Sequence, residues 1–209
     1  MVESYLSVGG ETERETIIER SRFICRVKRI EGEDDARAFI DGVRKVHSLA
    51  THNCYAYVAS EDGNLCKFSD DGEPQGTAGM PMLEVLKNRK LCMTAAVVTR
   101  YFGGVKLGAG GLVRAYSGSV ADCLNAAAVL SNELSAELIL KLSYDTYSVF
   151  LKYVSDKKVK ILNSEFGNDI AITCVLPRVL QKSFTEGLND TLLGKLRYEK
   201  TKEYYFQYL

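Results

Sequence analysis

Three carboxylates lie close together in a stretch that is too rich in glycine and proline for a helix or a strand. Asp70, Asp71 and Glu73 fall within residues 70–79. Oxygen ligands of this kind can hold Mg²⁺, or one carboxylate can act as a general base beside His52. The same residue types also satisfy a plain surface turn. These interpretations stay open, and the sequence predicts no catalytic residue, metal or cofactor.

A glycine-rich segment forms a second candidate site. Six of the 17 glycines fall between Gly103 and Gly118, at the junction of a predicted strand and a predicted helix. Backbone amides at the start of a helix can bind an anion, and Arg100, Lys106 and Arg114 lie nearby in the sequence. Neither a Walker loop nor a dinucleotide fingerprint fits the spacing. The segment predicts an anion site or, alternatively, a tight strand-to-helix connection.

The histidines and cysteines offer weaker candidates. His47 falls on the apolar face of a predicted helix, which indicates a core or capping role, so His52 is the better functional candidate. Cys54 follows His52 at a spacing that places both on one face of a strand, as a Cys-His nucleophile would require. The six cysteines include no Cys-x-x-Cys pair, which predicts reduced and mostly buried thiols rather than disulfides or zinc ligands.

Hydrophobic periodicity predicts the elements that carry these residues. In the first part of the chain we expect strands at 21–28, 52–58 and 93–102, and helices at 33–47, 80–88 and 110–127. The second part predicts the order β-α-β-β-α-β of a ferredoxin-like unit. Its strands are expected at 133–142, 159–166, 170–176 and 195–206, with helices at 145–157 and after Pro177. The predicted class is α+β with two domains, residues 1–132 and 133–209.

Charge and hydropathy limit the class of protein. The 27 basic and 27 acidic residues balance, which excludes a uniformly basic nucleic-acid binder. The balance is not local, because residues 85–121 contain six basic and no acidic residues. No apolar run approaches the roughly 20 residues of a membrane helix, and the N-terminus lacks the features of a signal peptide. We therefore expect a cytoplasmic protein with no membrane partner.

Three motifs in this order closely resemble the Impact/YigZ family: residues 50–57, 69–79 and 98–116. The resemblance is strong over about residues 15–128, and the rest resembles the small C-terminal domain of bacterial two-domain members. It implies a first domain like the second domain of ribosomal small-subunit protein five and like domain four of elongation factor G. It implies that the second domain is ferredoxin-like and similar to domain five of that factor. Eukaryotic members regulate translation, and for bacterial members the resemblance implies a link to nucleic acid or the ribosome.

The resemblance also implies a functional surface made of the motif residues. We predict that this surface binds RNA or the ribosome in a translation-linked regulatory role. An enzyme acting on a small phosphorylated substrate through His52 and the acidic loop is one alternative. A protein-interaction module is the other, with the C-terminal domain binding a partner through Tyr198, Tyr204, Tyr205, Phe206 and Tyr208. The predicted ligand-binding residues are His52, Asp70, Asp71, Gly72, Glu73, Pro74, Gly76, Thr77, Arg100, Tyr101, Phe102, Gly103, Gly104, Lys106, Gly108, Gly110, Gly111 and Arg114.

Overall fold

The chain forms two compact units, as a computed structural model that describes residues 1–208 shows. The first unit contains Tyr5–Leu130, and the second contains the chain from Ser131 onward together with Val2–Ser4. The predicted α+β class with two domains is confirmed. Residues 2–4 belong to the second unit because the Glu3 carbonyl accepts a hydrogen bond from the Leu134 N–H at 2.8 Å. Along the chain, the first unit ends at Leu130 and the second begins at Ser131, whereas the predicted boundary follows residue 132.

The first part of the chain alternates strands and helices. The elements are β1 (Ser4–Val8), β2 (Glu11–Ile18), β3 (Ser21–Arg29), α1 (Glu33–Val46), β4 (His52–Val58), β5 (Cys66–Ser69), α2 (Gly79–Asn88), β6 (Thr94–Tyr101) and α3 (Gly108–Ala126). An antiparallel sheet runs in the order β2-β3-β6-β4-β5. The strand β6 is central because it pairs with β3 on one side and with β4 on the other.

Helices cover both faces of this sheet. Helices α2 and α3 pack on one face, where Phe23, Met82 and Tyr116 are fully buried. Helix α1 packs on the other face through Phe39, Ile40 and Val43, against Tyr57 and neighbouring strand residues. A strand that is buried on both faces reads as a continuous apolar run rather than an alternating one. This explains why β6 carries an uninterrupted run of apolar residues from Ala95 to Val98.

The sequence did not predict β1, β2 or β5. Strand β2 has no apolar alternation to reveal it, because most of its residues are exposed and polar. Pairing with β3 holds it in place, reinforced by cross-strand ion pairs of Arg22 with Glu15 and of Arg26 with Glu13. Strand β5 is only four residues long and lies at the sheet edge. Edge strands of this kind depend on backbone pairing more than on side-chain burial.

The second part of the chain has the predicted order β-α-β-β-α-β. The elements are β7 (Val129–Leu142), α4 (Tyr144–Val154), β8 (Lys160–Phe166), β9 (Ile170–Pro177), α5 (Gln181–Thr191) and β10 (Arg197–Gln207), with a 3₁₀ turn over Arg178–Leu180. The antiparallel strand order β10-β7-β9-β8 is that of a split βαβ unit. Helices α4 and α5 bury one sheet face, with Phe150, Phe184 and Leu188 in the core.

No helix within residues 1–208 is both long enough and apolar enough to cross a membrane.

Candidate functional site

The three motif segments converge on one groove of the first unit. The groove is a cavity of about 430 Å³. It is lined by Thr51, His52, Glu73, Pro74, Arg100, Phe102, Lys106, Leu107, Gly108, Ala109 and Leu112. Each motif segment contributes to this lining, although the three segments are far apart in the chain. The structure therefore brings seven of the predicted residues together: His52, Glu73, Pro74, Arg100, Phe102, Lys106 and Gly108.

Sheet register places two of these residues side by side. His52 is the first residue of β4, and Arg100 is the next-to-last residue of β6. The two residues are directly opposite in the antiparallel ladder, as are Arg100 and Phe23 on the other side. Opposite residues in such a ladder project from the same sheet face. The pairing of β6 with both neighbours thus aligns a histidine, an arginine and a phenylalanine in a row.

A buried ion pair forms the floor of the groove. Arg100 Nη1 donates to Glu73 Oε1 at 2.7 Å, and the side chains are only 6% and 3% exposed. The Tyr116 hydroxyl donates to the same carboxylate oxygen at 2.7 Å. Burial raises the pKa of Tyr116 well above its usual value, so this hydroxyl stays protonated as a donor. The charges of Glu73 and Arg100 therefore balance each other inside the protein.

Arg100 is further held by aromatic rings. Its guanidinium lies 5.3 Å from the centre of the Phe23 ring and 5.4 Å from that of Phe102. Its Nη2 donates to the Ser21 hydroxyl at 3.3 Å. Arg100 Nε is buried, and no residue in the described range 1–208 hydrogen-bonds to it. The sequence placed Arg100 on an exposed basic surface, whereas the structure makes it a buried, positioned group in the groove.

His52 is fixed by the loop that follows β5. Its Nδ1 lies 2.8 Å from the carbonyl oxygen of Asp71. Because a carbonyl only accepts, this contact favours the proton on Nδ1. The other ring nitrogen, Nε2, lies 3.8 Å from Glu73 Oε1. Gly72 adopts a φ of +87° beside this ring, and a Cβ there would lie 3.3 Å from His52 Nδ1, so the loop can approach the imidazole closely.

Asp70 has a structural role at the start of α2. Its carboxylate accepts hydrogen bonds from the backbone N–H groups of Gly76, Ala78 and Gly79, at 2.8 to 3.0 Å. These groups belong to the first turn of the helix and the residues just before it, where backbone donors lack intrahelical partners. Thr77 closes the same loop, since its hydroxyl donates to the Pro74 carbonyl at 2.6 Å. The turn interpretation therefore fits Asp70.

Asp71 ties the loop to two other elements. One carboxylate oxygen accepts from Arg44 of α1 at 2.8 Å, and the other accepts from the Asn53 backbone N–H of β4 at 2.7 Å. The three acidic side chains therefore bind different partners instead of converging. Within residues 1–208, no group of three or more His, Cys, Asp or Glu side chains is arranged to hold a metal ion.

The glycine-rich segment makes close turns between β6 and α3. A Cβ on Gly103 would lie 1.9 Å from the Arg20 carbonyl oxygen, so only glycine fits there. Gly104 and Gly108 have φ of +85° and +68°, which favours glycine. Helix α3 begins at Gly108, two residues earlier than predicted, and its first turn contains Gly110 and Gly111 but no acidic residue. The tight connection therefore forms as predicted, and Gly108 and Ala109 at the start of α3 line the groove, while the anion site stays a prediction.

Lys106 and Arg114 place exposed positive charge at the groove and beside it, and Glu19 lines the neighbouring depression with them. Lys106 is exposed and lines the groove. Arg114 is exposed on α3 and lines an adjacent depression, also of about 430 Å³, to which Lys106 contributes as well. Tyr101 points to a different neighbour, because its hydroxyl lies 2.9 Å from His47 Nδ1. His47 itself follows the end of α1, where its N–H donates to the Val43 carbonyl, in agreement with a capping role.

The structure argues against a Cys-His nucleophile. The Cys54 thiol is buried and donates to the Asp70 carbonyl oxygen at 2.9 Å. Burial raises the pKa of Cys54 to about 12, so the thiol stays protonated and unreactive at neutral pH. Cys54 is therefore a core residue that also supports the acidic loop.

Several residues of the site were not predicted from the sequence. Ser21, Phe23, Arg44 and Tyr116 all contact predicted residues. A buried tyrosine needs a partner for its hydroxyl, so Tyr116 on the apolar face of α3 carried a usable signal. The others lie in segments whose proximity depends on strand pairing across distant parts of the chain.

The aromatic residues of the last strand have partners within their own unit. The hydroxyl of Tyr204 donates to Glu137 at 3.0 Å, that of Tyr205 donates to the Val2 carbonyl at 3.0 Å, and that of Tyr208 lies 2.9 Å from the Ser135 hydroxyl. Tyr198 is the most exposed of the group, at 47%. Tyr204, Tyr205 and Tyr208 therefore contribute to packing within the second unit, and docking of a partner on these rings stays a prediction.

Fold and groove together define a class of two-domain α+β proteins. The pattern of the Impact N-terminal domain matches residues 19–124. The IMPACT family member YvyE of Bacillus subtilis is 40% identical over 195 residues, covering 93% of this chain and 90% of that protein. The IMPACT family member YigZ of Escherichia coli is 36% identical over 182 residues, covering 86% and 89% of the two chains. The chain belongs to the IMPACT family.

One solved structure is similar to this chain over nearly its full length. It is described as the crystal structure of a hypothetical protein, and it shares 34% sequence identity with this chain. The match covers 97% of this chain and 99% of the other, with a TM-score of 0.64.

Proposed function

We propose that the protein binds RNA, free or in the ribosome, through the groove and thereby regulates translation. The convergence of the three motif segments on one groove carries this proposal. Lys106 supplies an exposed charge at that groove, and the amides at the start of α3 add a positive helix end. Phe102 is 45% exposed and offers a ring on which a base can stack. Such a role agrees with the cytoplasmic location expected from the sequence.

The charges at the groove allow only a few contacts with RNA phosphates. Arg100 is neutralised by Glu73, so Lys106 and Arg114 remain as exposed cations at the groove and the adjacent depression. We expect modest affinity that falls with salt concentration, because each neutralised phosphate releases counterions. Binding through a few contacts is compatible with the zero net charge of the whole chain.

Fluorescence anisotropy with labelled single-stranded RNA tests the proposal. Replacing both Lys106 and Arg114 by alanine should weaken binding at about 50 mM salt and lower the slope of log K against log salt by about 1.4, since each phosphate contributes about 0.7. Lys182→Ala is the matched control, because its side chain is 87% exposed on the second unit. Undetectable binding to RNA and to ribosomes, or equal effects of the double variant and the control, would contradict the proposal.

A second candidate function is supported by the geometry at His52. The ring is held by Asp71, and its Nε2 lies close to the Glu73 carboxylate in the same groove. A histidine fixed in this way can move a proton to or from a small phosphorylated substrate. In the His52→Asn variant the amide can still donate to the Asp71 carbonyl, but Nε2 is lost. If release of phosphate from nucleotides or sugar phosphates occurs, this variant should reduce it; an unchanged rate would exclude His52 as the catalytic base.

A further inference from the structure

The size and charge of the groove indicate which part of an RNA it binds. We infer that the groove binds the terminal nucleotide of an RNA chain through a phosphate monoester at that end. The inference rests on the proposed function and narrows it to a class of RNA. A terminal phosphate can stand at the 5′ or the 3′ end, and the experiment below separates these sources.

The dimensions of the groove fit one nucleotide. Its volume of about 430 Å³ lies near the lower end of the range for sites that enclose small ligands. The lining contains a single phenyl ring, that of Phe102. Grooves that follow a single strand present several rings on which successive bases stack. Phe102 is the more exposed ring of the lining, at 45% against 18% for the His52 side chain, and one exposed ring in a cavity of this size corresponds to one base and its phosphate.

The charge of the lining favours a dianion. A phosphate monoester carries about −1.5 to −2 at pH 7, whereas each internal phosphodiester of RNA carries a single negative charge. In the lining, Arg100 and Glu73 balance each other, and Lys106 adds an uncompensated positive charge. The negative charge of Glu73 is compensated by Arg100, and the Tyr116 hydroxyl donates to the same carboxylate oxygen. Gly108 and Ala109 add the positive end of α3.

An unpartnered buried donor gives independent support for an anionic ligand. The Arg100 side chain is 6% exposed and lines the groove. Its Nε has no hydrogen-bond partner within the described residues 1–208. A buried N–H without an acceptor is costly, and a ligand oxygen that reaches this N–H from the groove would relieve that cost. This observation does not depend on the helix end or on Lys106.

The position of Arg114 distinguishes the terminal phosphate from the rest of the RNA. Arg114 lines the adjacent depression and not the groove itself. We therefore expect Arg114 to contact a phosphodiester of the following nucleotides, and Lys106 to contact the terminal phosphate. Variants of the two residues should then affect phosphorylated and unphosphorylated RNA differently.

The experiment measures anisotropy with three short RNAs of one sequence, labelled internally. One carries a 5′-phosphate, one a 3′-phosphate and one hydroxyls at both ends. One phosphorylated RNA should bind about tenfold more tightly than the hydroxyl form, as expected for added charge-assisted hydrogen bonds. The arm that gains affinity identifies the end. Lys106→Ala should remove most of this preference, whereas Arg114→Ala should weaken all three RNAs by a similar factor.

The possible failures are distinguishable. Equal binding of the three RNAs to the unmodified protein would overturn this inference and leave the proposed RNA binding intact. A preference for a phosphorylated end that survives in Lys106→Ala would also overturn the assignment of the groove. Absence of binding to all three RNAs and to ribosomes would overturn the proposed function as well.

Discussion

Glu73 lies beside Arg100, Tyr116 and His52 in the groove. Its carboxylate is 3% exposed and accepts from both Arg100 and Tyr116. Removing one partner of a buried ion pair leaves the other charge uncompensated. Glu73→Gln should therefore reduce the free energy of unfolding by about 3 kcal/mol, as measured by urea denaturation.

The control for Glu73 is a surface ion pair in the second unit. Glu186 lies 3.9 Å from Lys182, and both side chains are more than half exposed. Glu186→Gln should change the free energy of unfolding by less than about 0.5 kcal/mol. A Glu73 variant as stable as this control would show that the buried pair does not stabilise the fold.

Gly103 and Gly118 form a second matched pair for stability measurements. A Cβ on Gly103 would clash with the Arg20 carbonyl at 1.9 Å, whereas a Cβ on Gly118, inside α3, meets nothing within 4 Å. Gly103→Ala should cost more than about 2 kcal/mol, because it would displace the backbone of Arg20 and Ser21 where β3 begins. Gly118→Ala should stabilise by about 1 kcal/mol, because alanine is the better helix former. Thermal unfolding that ranks the two variants in the reverse order would contradict this.

Residue types could be predicted from the sequence more readily than their roles. His52, Glu73, Phe102 and Lys106 were all selected as candidates, and all line the groove. Asp70 was selected for the same reasons but caps a helix. The local sequence of a Gly/Pro loop is the same whether its carboxylate lines a groove or caps a helix. Only the positions of distant backbone donors decide between the two roles.

At the scale of elements, the start of α2 depends on one side chain. Asp70 receives three backbone hydrogen bonds from Gly76, Ala78 and Gly79. Replacing a capping residue with alanine costs about 1 to 2 kcal/mol, so Asp70→Ala should destabilise the protein by about that amount in urea denaturation. Glu84→Ala, on the exposed face of the same helix, serves as the control and should be nearly neutral. Equal effects of the two substitutions would refute the capping role.

Elements with a strong apolar pattern were located well, and polar edge elements were not. Strand β4 was predicted with its observed bounds of His52–Val58. Its residues from Cys54 to Val58 are all apolar or aromatic, which is typical of a strand. Strand β2 alternates ion-pairing residues at the edge of the sheet and has no apolar face to reveal it. Its structure depends on β3, which supplies both the backbone partners and Arg22 and Arg26.

At the scale of the whole molecule, each unit buries a cysteine that reports on its own core. Cys54 lies in the core of the first unit and Cys174 in that of the second. Burial raises the pKa of each thiol to about 12, whereas an unfolded thiol has a pKa near 8.5. The unfolded state therefore loses protons first as pH rises above about 8.5, and the stability of both units should fall in that range.

This difference in reactivity allows the two cores to be followed separately. Iodoacetamide at pH 8.5 should leave Cys54 and Cys174 unmodified in the native protein and should label the half-buried Cys66. Pulses of the reagent at increasing urea, read by mass spectrometry of tryptic peptides, should show distinct midpoints for Cys54 and Cys174, because separate cores unfold as separate units. Identical midpoints would mean that the units unfold as one cooperative body.

The central position of β6 has a consequence for the order in which the protein folds. Strands β3 and β4 are not neighbours in the sheet; each is paired with β6, which follows both in the chain. During synthesis the β2-β3 pair and the β4-β5 pair cannot join into one sheet until residues 94–101 have left the ribosome. Long-range pairing of this kind closes large loops and is slow. The groove, which needs Arg100 and α3, is therefore among the last features of the first unit to form.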